Sequence, residues 1–420
     1  MKTGLDVVIH DPQRCKSWKR TGLVTHAHTT ASNGESCAAA IARITKMNVG
    51  MELVCLFGPQ HGYWQCEPYN MFETAHDSIC LLQGDNSVVL PLYSLYGAER
   101  EPQAEHLADV DTLVVDLPDI GCRVYTYMTT LAGCLNQAAK LKKKVVLLDR
   151  PNPLGLFCKE TTSRVEGNLL QPQYHSFVGW FQIPLRHGLT LGELGHFYIK
   201  QQKLTVDYEV ITVEGLQRAS TLEDYAQILP RMASPNMPHA RTMAFFPISV
   251  LLEGTNISEG RGTTAPFQAI GAPFLDENVL MLALTESFKR LDLTPSIYFR
   301  THRFMPLFDK YKGEVCKGVF LDAHAAEVPQ VFAAGIALVA ALCLAGKDQF
   351  SWRERGYEYN FDHDPIDLIL GNDRWKTCFE NIRNGKAVDQ SFQQLRLELV
   401  QAAQESHDFA YNQGILTLYS

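Results

Sequence analysis

Asp111-Thr112-Leu113-Val114-Val115-Asp116 and Lys144-Val145-Val146-Leu147-Leu148-Asp149, separated by a stretch rich in Leu and Ala at residues 127–141, decide the fold. Both runs are continuously apolar rather than alternating, which is the pattern of a strand covered by helices on both faces. Strand, helix and strand of this length make a right-handed crossover between parallel neighbours. Working outward, Thr21-Gly22-Leu23-Val24-Thr25-His26 and Met51-Glu52-Leu53-Val54-Cys55-Leu56-Phe57 read as two further strands. Residues 36–46 between them read as a helix with Ala38, Ala39, Ile41, Ala42 and Ile44 on its apolar face. The expectation is an α/β chain with an N-terminal Rossmann-like, doubly wound, mostly parallel sheet.

The character changes after Gly271-Ala272-Pro273. Helical patterns follow at residues 278–291, 331–344 and 388–409, broken by short strands such as Gly318-Val319-Phe320-Leu321. This predicts a Rossmann-like domain over residues 1–270 and a smaller ancillary α+β domain over residues 271–420.

Composition narrows the function. The 420 residues are 46% hydrophobic and 20% charged, with a formal net charge of −8. A chain of this charge has no basic field for a phosphate backbone, so nucleic acid is not an expected partner. Met1-Lys2-Thr3-Gly4-Leu5-Asp6 lacks the charged-then-apolar build of an export signal. No later stretch reads as long and uncharged enough to span a bilayer, so the expectation is a cytoplasmic protein with no membrane partner. The 11 cysteines form no CxxC pair and read mostly as buried thiols.

In doubly wound sheets, ligands collect at the carboxyl ends of the strands. Three loops rich in Gly, Pro, Asp, Arg and His follow strands here: Gly58-Pro59-Gln60-His61-Gly62, residues 116–123, and Asp149-Arg150-Pro151-Asn152-Pro153. The first strand is followed by Thr25-His26-Ala27-His28 rather than GxGxxG, so dinucleotide binding is not supported. No HExxH-like spacing joins His26, His28 and His61, and no metal is expected.

Each candidate has a functional and a structural reading. Asp116 and Asp119, with Arg123 close behind, form either a site pair or a brace for the turn at Gly121. Arg150 and Asn152 either grip a substrate carboxylate or brace Asp149. His61, beside Gln60, reads as a substrate contact in a strand-end loop. Thr190 and Glu193 have capping-box spacing, while Arg186 and His187 just before them can face a site. The glycine-laced loop at residues 253–264 brings Glu253, Asn256, Glu259 and Arg261 toward a ligand or forms a hinge. Cys66, Cys122 and Cys134 have no nucleophile signature and read as buried structural thiols.

Together with Tyr93-Ser94-Leu95-Tyr96-Gly97, Val165-Glu166-Gly167, Ser176-Phe177-Val178-Gly179, Pro184 through Thr190, Ser234-Pro235-Asn236-Met237-Pro238 and residues 252–266, these loops resemble the NamZ-type exo-β-N-acetylmuramidases over almost the whole chain. The resemblance implies a Rossmann-like domain that carries the active site. It also implies release of terminal N-acetylmuramic acid from peptidoglycan fragments, in cell-wall recycling, with no metal or organic cofactor. The partner so implied is a small carbohydrate, a muropeptide or disaccharide, and a homodimer is left open. Glycoside cleavage needs a carboxylic acid and usually a second carboxylate. Glu166, Glu259 and Asp116 are the expected catalytic carboxylates. Gln60, His61, Asp119, Arg123, Tyr125, Arg150, Asn152, Arg186, His187, Asn236, Glu253, Asn256 and Arg261 are the expected substrate contacts. Many members of the family carry Glu where this chain has Gln60, and an amide cannot give or take that proton. That departure supplies a second reading, a sugar-binding or altered-specificity homologue.

Overall fold

The computed structural model describes residues 1–69, 71–82, 87–97, 99–158, 164–294, 297–323, 328–412 and 417–420. Its N-terminal strands are β1 (Arg20–Val24), β2 (Glu52–Gly58), β3 (Asp77–Leu81), β4 (Val88–Ser94), β5 (Thr112–Val115), β6 (Lys144–Leu148) and β7 (Asp207–Ile211). They form one seven-stranded sheet in the order β3-β4-β2-β1-β5-β6-β7. All neighbours are parallel except the β3–β4 pair at one edge. The chain builds outward from β1 in one direction and then, from β5, in the other. The crevice between the β1 and β5 ends is therefore the point where the winding reverses.

The apolar runs explain the layers. Leu23, Leu56, Val114, Val146 and Leu148 enter one core with α1 (Gly4–His10) and α2 (Cys37–Lys46). The alternate residues Val24, Phe57, Leu113, Val115, Val145 and Leu147 enter a second core with α3 (Tyr127–Leu141) and α4 (Leu191–Gln202). A strand buried on both sides has no polar face to show, hence the continuous hydrophobic reading. Local signals set the helix ends. The Ser36 hydroxyl accepts from the Ala39 amide at the start of α2. Thr190 and Glu193 form both bonds of a capping box at the start of α4, which is the structural role their spacing predicts.

After α5 (Leu222–Tyr225) and α6 (Ala240–Ser249), the strands β8 (Ala269–Ala272), β9 (Tyr298–Phe304) and β10 (Cys316–Asp322) make an antiparallel sheet, ordered β8-β10-β9. The predicted domain boundary falls inside β8. Around this sheet lie α7 (Glu277–Arg290), α8 (Val331–Gly346), α9 (Pro365–Leu370), α10 (Lys376–Arg383) and α11 (Val388–Asn412). The second core runs without a break from α3 to α8 and α10, so both halves share one hydrophobic interior.

Two expectations are corrected here. The stretch Val331–Gln349 is long and apolar enough to cross a membrane, contrary to the sequence reading. Here it is a core helix: Ile336 to Cys343 are fully buried. Cys122 and Cys134 are buried, but Cys66 is exposed, on a loop where neighbouring Trp64 is exposed too.

Candidate active site

The site begins where β2 stops. A Cβ on Gly58 would lie 2.7 Å from the Tyr63 amide nitrogen, so only glycine lets the following turn fold back this closely. That turn buries Gln60 and His61. The loop after β5 turns at Gly121, whose φ of 77° and tight packing against the Asn152 side chain both exclude a Cβ. It then delivers Tyr125 and Thr126 opposite Gln60.

Gln60, His61, Tyr125, Thr126, Ser234, Asn236, Glu253, Arg261, Tyr357 and Glu358 supply the polar wall of one cavity, closed by Val178, Met237, Phe246, Val250 and Phe267. It is a narrow space of about 40 Å³ at its closed end, continuing into space that opens to solvent. One wall is the rim of the parallel sheet, Val178 comes from the long segment between β6 and β7, and the other walls come from the segments after α5.

A hydrogen-bonded chain crosses this wall. The Thr126 hydroxyl donates to the Gln60 carbonyl oxygen. The Gln60 amide donates to Tyr96 Oη and to Glu358 Oε1, each at 3.1 Å. Tyr96 Oη in turn donates to Glu358 Oε2 at 2.9 Å. Glu253 accepts from Arg261 and from the Tyr357 hydroxyl, each at 2.5 Å. Arg261 also donates to Glu259 at 2.9 Å.

Burial pushes the Glu358 carboxyl above the usual glutamate range, against the Arg100 charge and the Tyr96 and Gln60 donors, which favour its ionised form, while the Glu253 charge adds to the upward push. Burial drives His61 down to about 4, so its ring is neutral at neutral pH. Its Nδ1 lies 2.7 Å from the Glu67 carbonyl and, facing an acceptor, carries the proton. Burial opposes the Arg261 charge, but Glu253 and Glu259 outweigh it and hold the guanidinium protonated.

The structure thus brings together six of the expected substrate contacts: Gln60, His61, Tyr125, Asn236, Glu253 and Arg261. It places none of Asp116, Glu166 and Glu259 on the wall of this cavity: each carboxylate is held by a cationic partner, and Glu166 lines a separate groove beside Phe332 and Arg396. Asp116 is fully buried and forked by Arg150, at 2.5 and 2.8 Å. Glu166 binds Arg186 at 2.8 Å and the Phe332 amide at 3.1 Å. Glu259 is pinned between Arg261 and Lys310, each at 2.9 Å.

The remaining expected contacts brace loops. Arg123 donates to the carbonyls of Asn168, Ile183, Ile369 and Leu370. Arg150 adds the Thr30 carbonyl to its Asp116 pair, and Arg186 adds those of Val328 and Leu154. Asp119 accepts from the Gly121 amide at 2.8 Å and lies 3.1 Å from His187 Nε2. Asn152 bonds Leu189 and Leu154, and Asn256 bonds Gln349 and Ser351.

Glu358 and its turn were missed. They lie in the run Arg353-Glu354-Arg355-Gly356-Tyr357-Glu358-Tyr359-Asn360, which reads as a solvated charged loop. The only available signal was the pair of tyrosines flanking the acid, since aromatic rings seek cover.

A Rossmann-like sheet with a cavity at the β2 and β5 ends, bearing two buried carboxylates and neutral donors, defines an α/β protein with a site suited to a small polar ligand. The particular family follows from comparison. The description "Exo-beta-N-acetylmuramidase NamZ, N-terminal" matches residues 21–241, and its C-terminal counterpart matches residues 244–409. The chain belongs to the NamZ exo-β-N-acetylmuramidase family. It is 33% identical over 383 residues to the peptidoglycan β-N-acetylmuramidase NamZ of Bacillus subtilis, covering 91% of this chain and 84% of that one. A crystal structure of a DUF1343 family protein from Bacteroides fragilis superposes with a TM-score of 0.79 at 26% identity, covering 100% of this chain and 99% of the other. A second one from the same organism shares the fold, with a TM-score of 0.65 at 22% identity over 100% and 99% of the two chains.

Proposed function

We propose that this chain is a glycoside hydrolase that releases terminal β-linked N-acetylmuramic acid from peptidoglycan fragments, within the turnover of cell-wall material. The observation that carries the reading is the pair Glu253 and Glu358 on one cavity wall, inside a chain of this family. Hydrolysis of a glycoside uses one carboxyl to protonate the leaving oxygen and another to attack C1 or activate water. Gln60, His61, Tyr125, Asn236 and Arg261 surround that pair with donors and acceptors suited to hydroxyl, amide and acid groups of a sugar.

The test is release of chromophore from a β-N-acetylmuramide, with the corresponding β-N-acetylglucosaminide as control. The expected outcome is release from the muramide alone. Saturable binding of N-acetylmuramic acid with no release from either glycoside would replace hydrolysis by sugar binding at the same cavity, the outcome that Gln60 on its wall brings into play.

A further inference from the structure

Glu358 stands on the walls of two neighbouring spaces. One is the inner cavity just described. The other is a wider groove of about 1210 Å³, open to solvent, lined by Arg100, Phe177, Trp180, Tyr359 and Phe361 as well as Glu358. The inner space is narrow and rich in hydrogen-bonding groups. The outer one is flanked by aromatic faces, the surfaces on which sugar rings and other flat or amphipathic groups settle.

The backbone holds Glu358 at this junction under strain. Tyr357 and Asn360 face each other across a two-residue turn, with hydrogen bonds of 2.9 Å from Gly356 to Asn360 and 3.0 Å from Asn360 to Tyr357. Its central residues, Glu358 and Tyr359, have φ of 49° and 63°. Such turns ordinarily take Asn and Gly, because the left-handed conformation brings the Cβ of any other residue too close to the backbone. Strain of this kind persists where surrounding contacts over-determine it. Here they do so from three sides. Tyr357 reaches Glu253 at 2.5 Å. The Tyr359 hydroxyl reaches the Met71 carbonyl at 3.0 Å. The Arg100 guanidinium is stacked between rings, 4.1 Å from the centre of Phe177 and 4.8 Å from that of Tyr359, with an amino group 3.6 Å from Glu358 Oε2.

We propose that Glu358 is the acid that protonates the leaving oxygen, with the terminal sugar in the inner cavity and the leaving saccharide in the outer groove. The inference rests on the hydrolase reading above and assigns its proton donor and the place of its leaving group. As the bond from C1 to the glycosidic oxygen breaks, its electron pair stays with that oxygen, which takes the Glu358 proton. Water supplies the new hydroxyl at C1, and its second proton returns to the site carboxylates, so the net change is addition of one water. Gln60 donates to the same carboxylate and acts as a positioning residue. Burial keeps the acid form of Glu358 populated at higher pH than in water.

The deciding experiment compares wild type and Glu358→Gln on two substrates. One is the disaccharide of N-acetylmuramic acid β-linked to N-acetylglucosamine, whose leaving oxygen needs a proton. The other is the 2,4-dinitrophenyl β-N-acetylmuramide, whose leaving oxygen does not. The expected result is a kcat loss of about 10²–10⁴-fold on the disaccharide, little loss on the dinitrophenyl glycoside, and disappearance of the basic limb of the pH profile. Retained activity on the activated glycoside shows at the same time that the variant is folded. Equal losses on both substrates, or no loss on the disaccharide, overturn the assignment while leaving the hydrolase reading intact. A wild-type chain inert on both overturns the hydrolase reading and this inference with it.

Discussion

The rim of the parallel sheet and the turn at residues 357–360 both carry buried charge, and they treat it in opposite ways. On the rim, Asp116 is forked by Arg150, and Asp149 accepts from the amides of Arg150 and Gly192 and from Tyr419. Those charges are spent on holding loops. At the turn, among the described residues, Glu358 is bonded within hydrogen-bond range by Tyr96 and Gln60, with Arg100 further off, and the residue lies on the walls of two neighbouring spaces. The lesson is that position at a strand end does not make a carboxylate reactive. What matters is whether its partners leave it facing a cavity.

The sharpest way to break this contrast is Asp116→Ala. It strands Arg150 in the interior, and removing one partner of a buried pair costs about 3–5 kcal/mol. Denaturant unfolding should show that loss, while the turnover of the molecules that remain folded changes little. A large fall in turnover with unchanged stability would return Asp116 to the chemistry.

Next in size is the pH response of Asp149. Burial holds its carboxyl up to about 6, from an ordinary 3.8, despite donors that pull it down. The folded chain therefore binds this proton more tightly than the unfolded one. The difference amounts to about 3 kcal/mol. That stability is present in full below about pH 4 and is lost as pH rises through 6. Asp149→Asn should flatten this part of the stability curve measured by thermal unfolding across pH 4–7.

The smallest effect belongs to the turn. Arg100 favours the ionised form of Glu358, so Arg100→Met should move the basic limb of kcat/KM to higher pH. A limb that stays in place would detach Arg100 from the acid.

These regions also differ in how far they can be read from sequence. The strands β1, β2, β5 and β6 were legible because both their faces are buried, so beyond their first residues they are almost wholly apolar. The edge pair β3 and β4 was not: Asp77, Ser78 and Cys80 face solvent in β3, and Pro91 interrupts β4. A half-exposed edge strand looks like loop. Gln60, His61 and Tyr125 were legible because strand-end loops are local features. The role of Glu358 depends on a contact with Gln60 across 298 positions of chain, and no local pattern encodes such a meeting. The same limit explains why Glu166 and Glu259 looked available: the amide of Phe332 and the ammonium of Lys310 that occupy them are distant in sequence.

Arg123 has a consequence for how this molecule works over time. Its guanidinium gathers two carbonyls from the N-terminal half, those of Asn168 and Ile183, and two from the C-terminal half, those of Ile369 and Leu370. Each such charged hydrogen bond is worth about 1.5–3 kcal/mol. A clamshell motion of the halves would break this rivet in the interior, far from water. The two halves are thus riveted together, and the body of the protein behaves as a mould rather than a jaw.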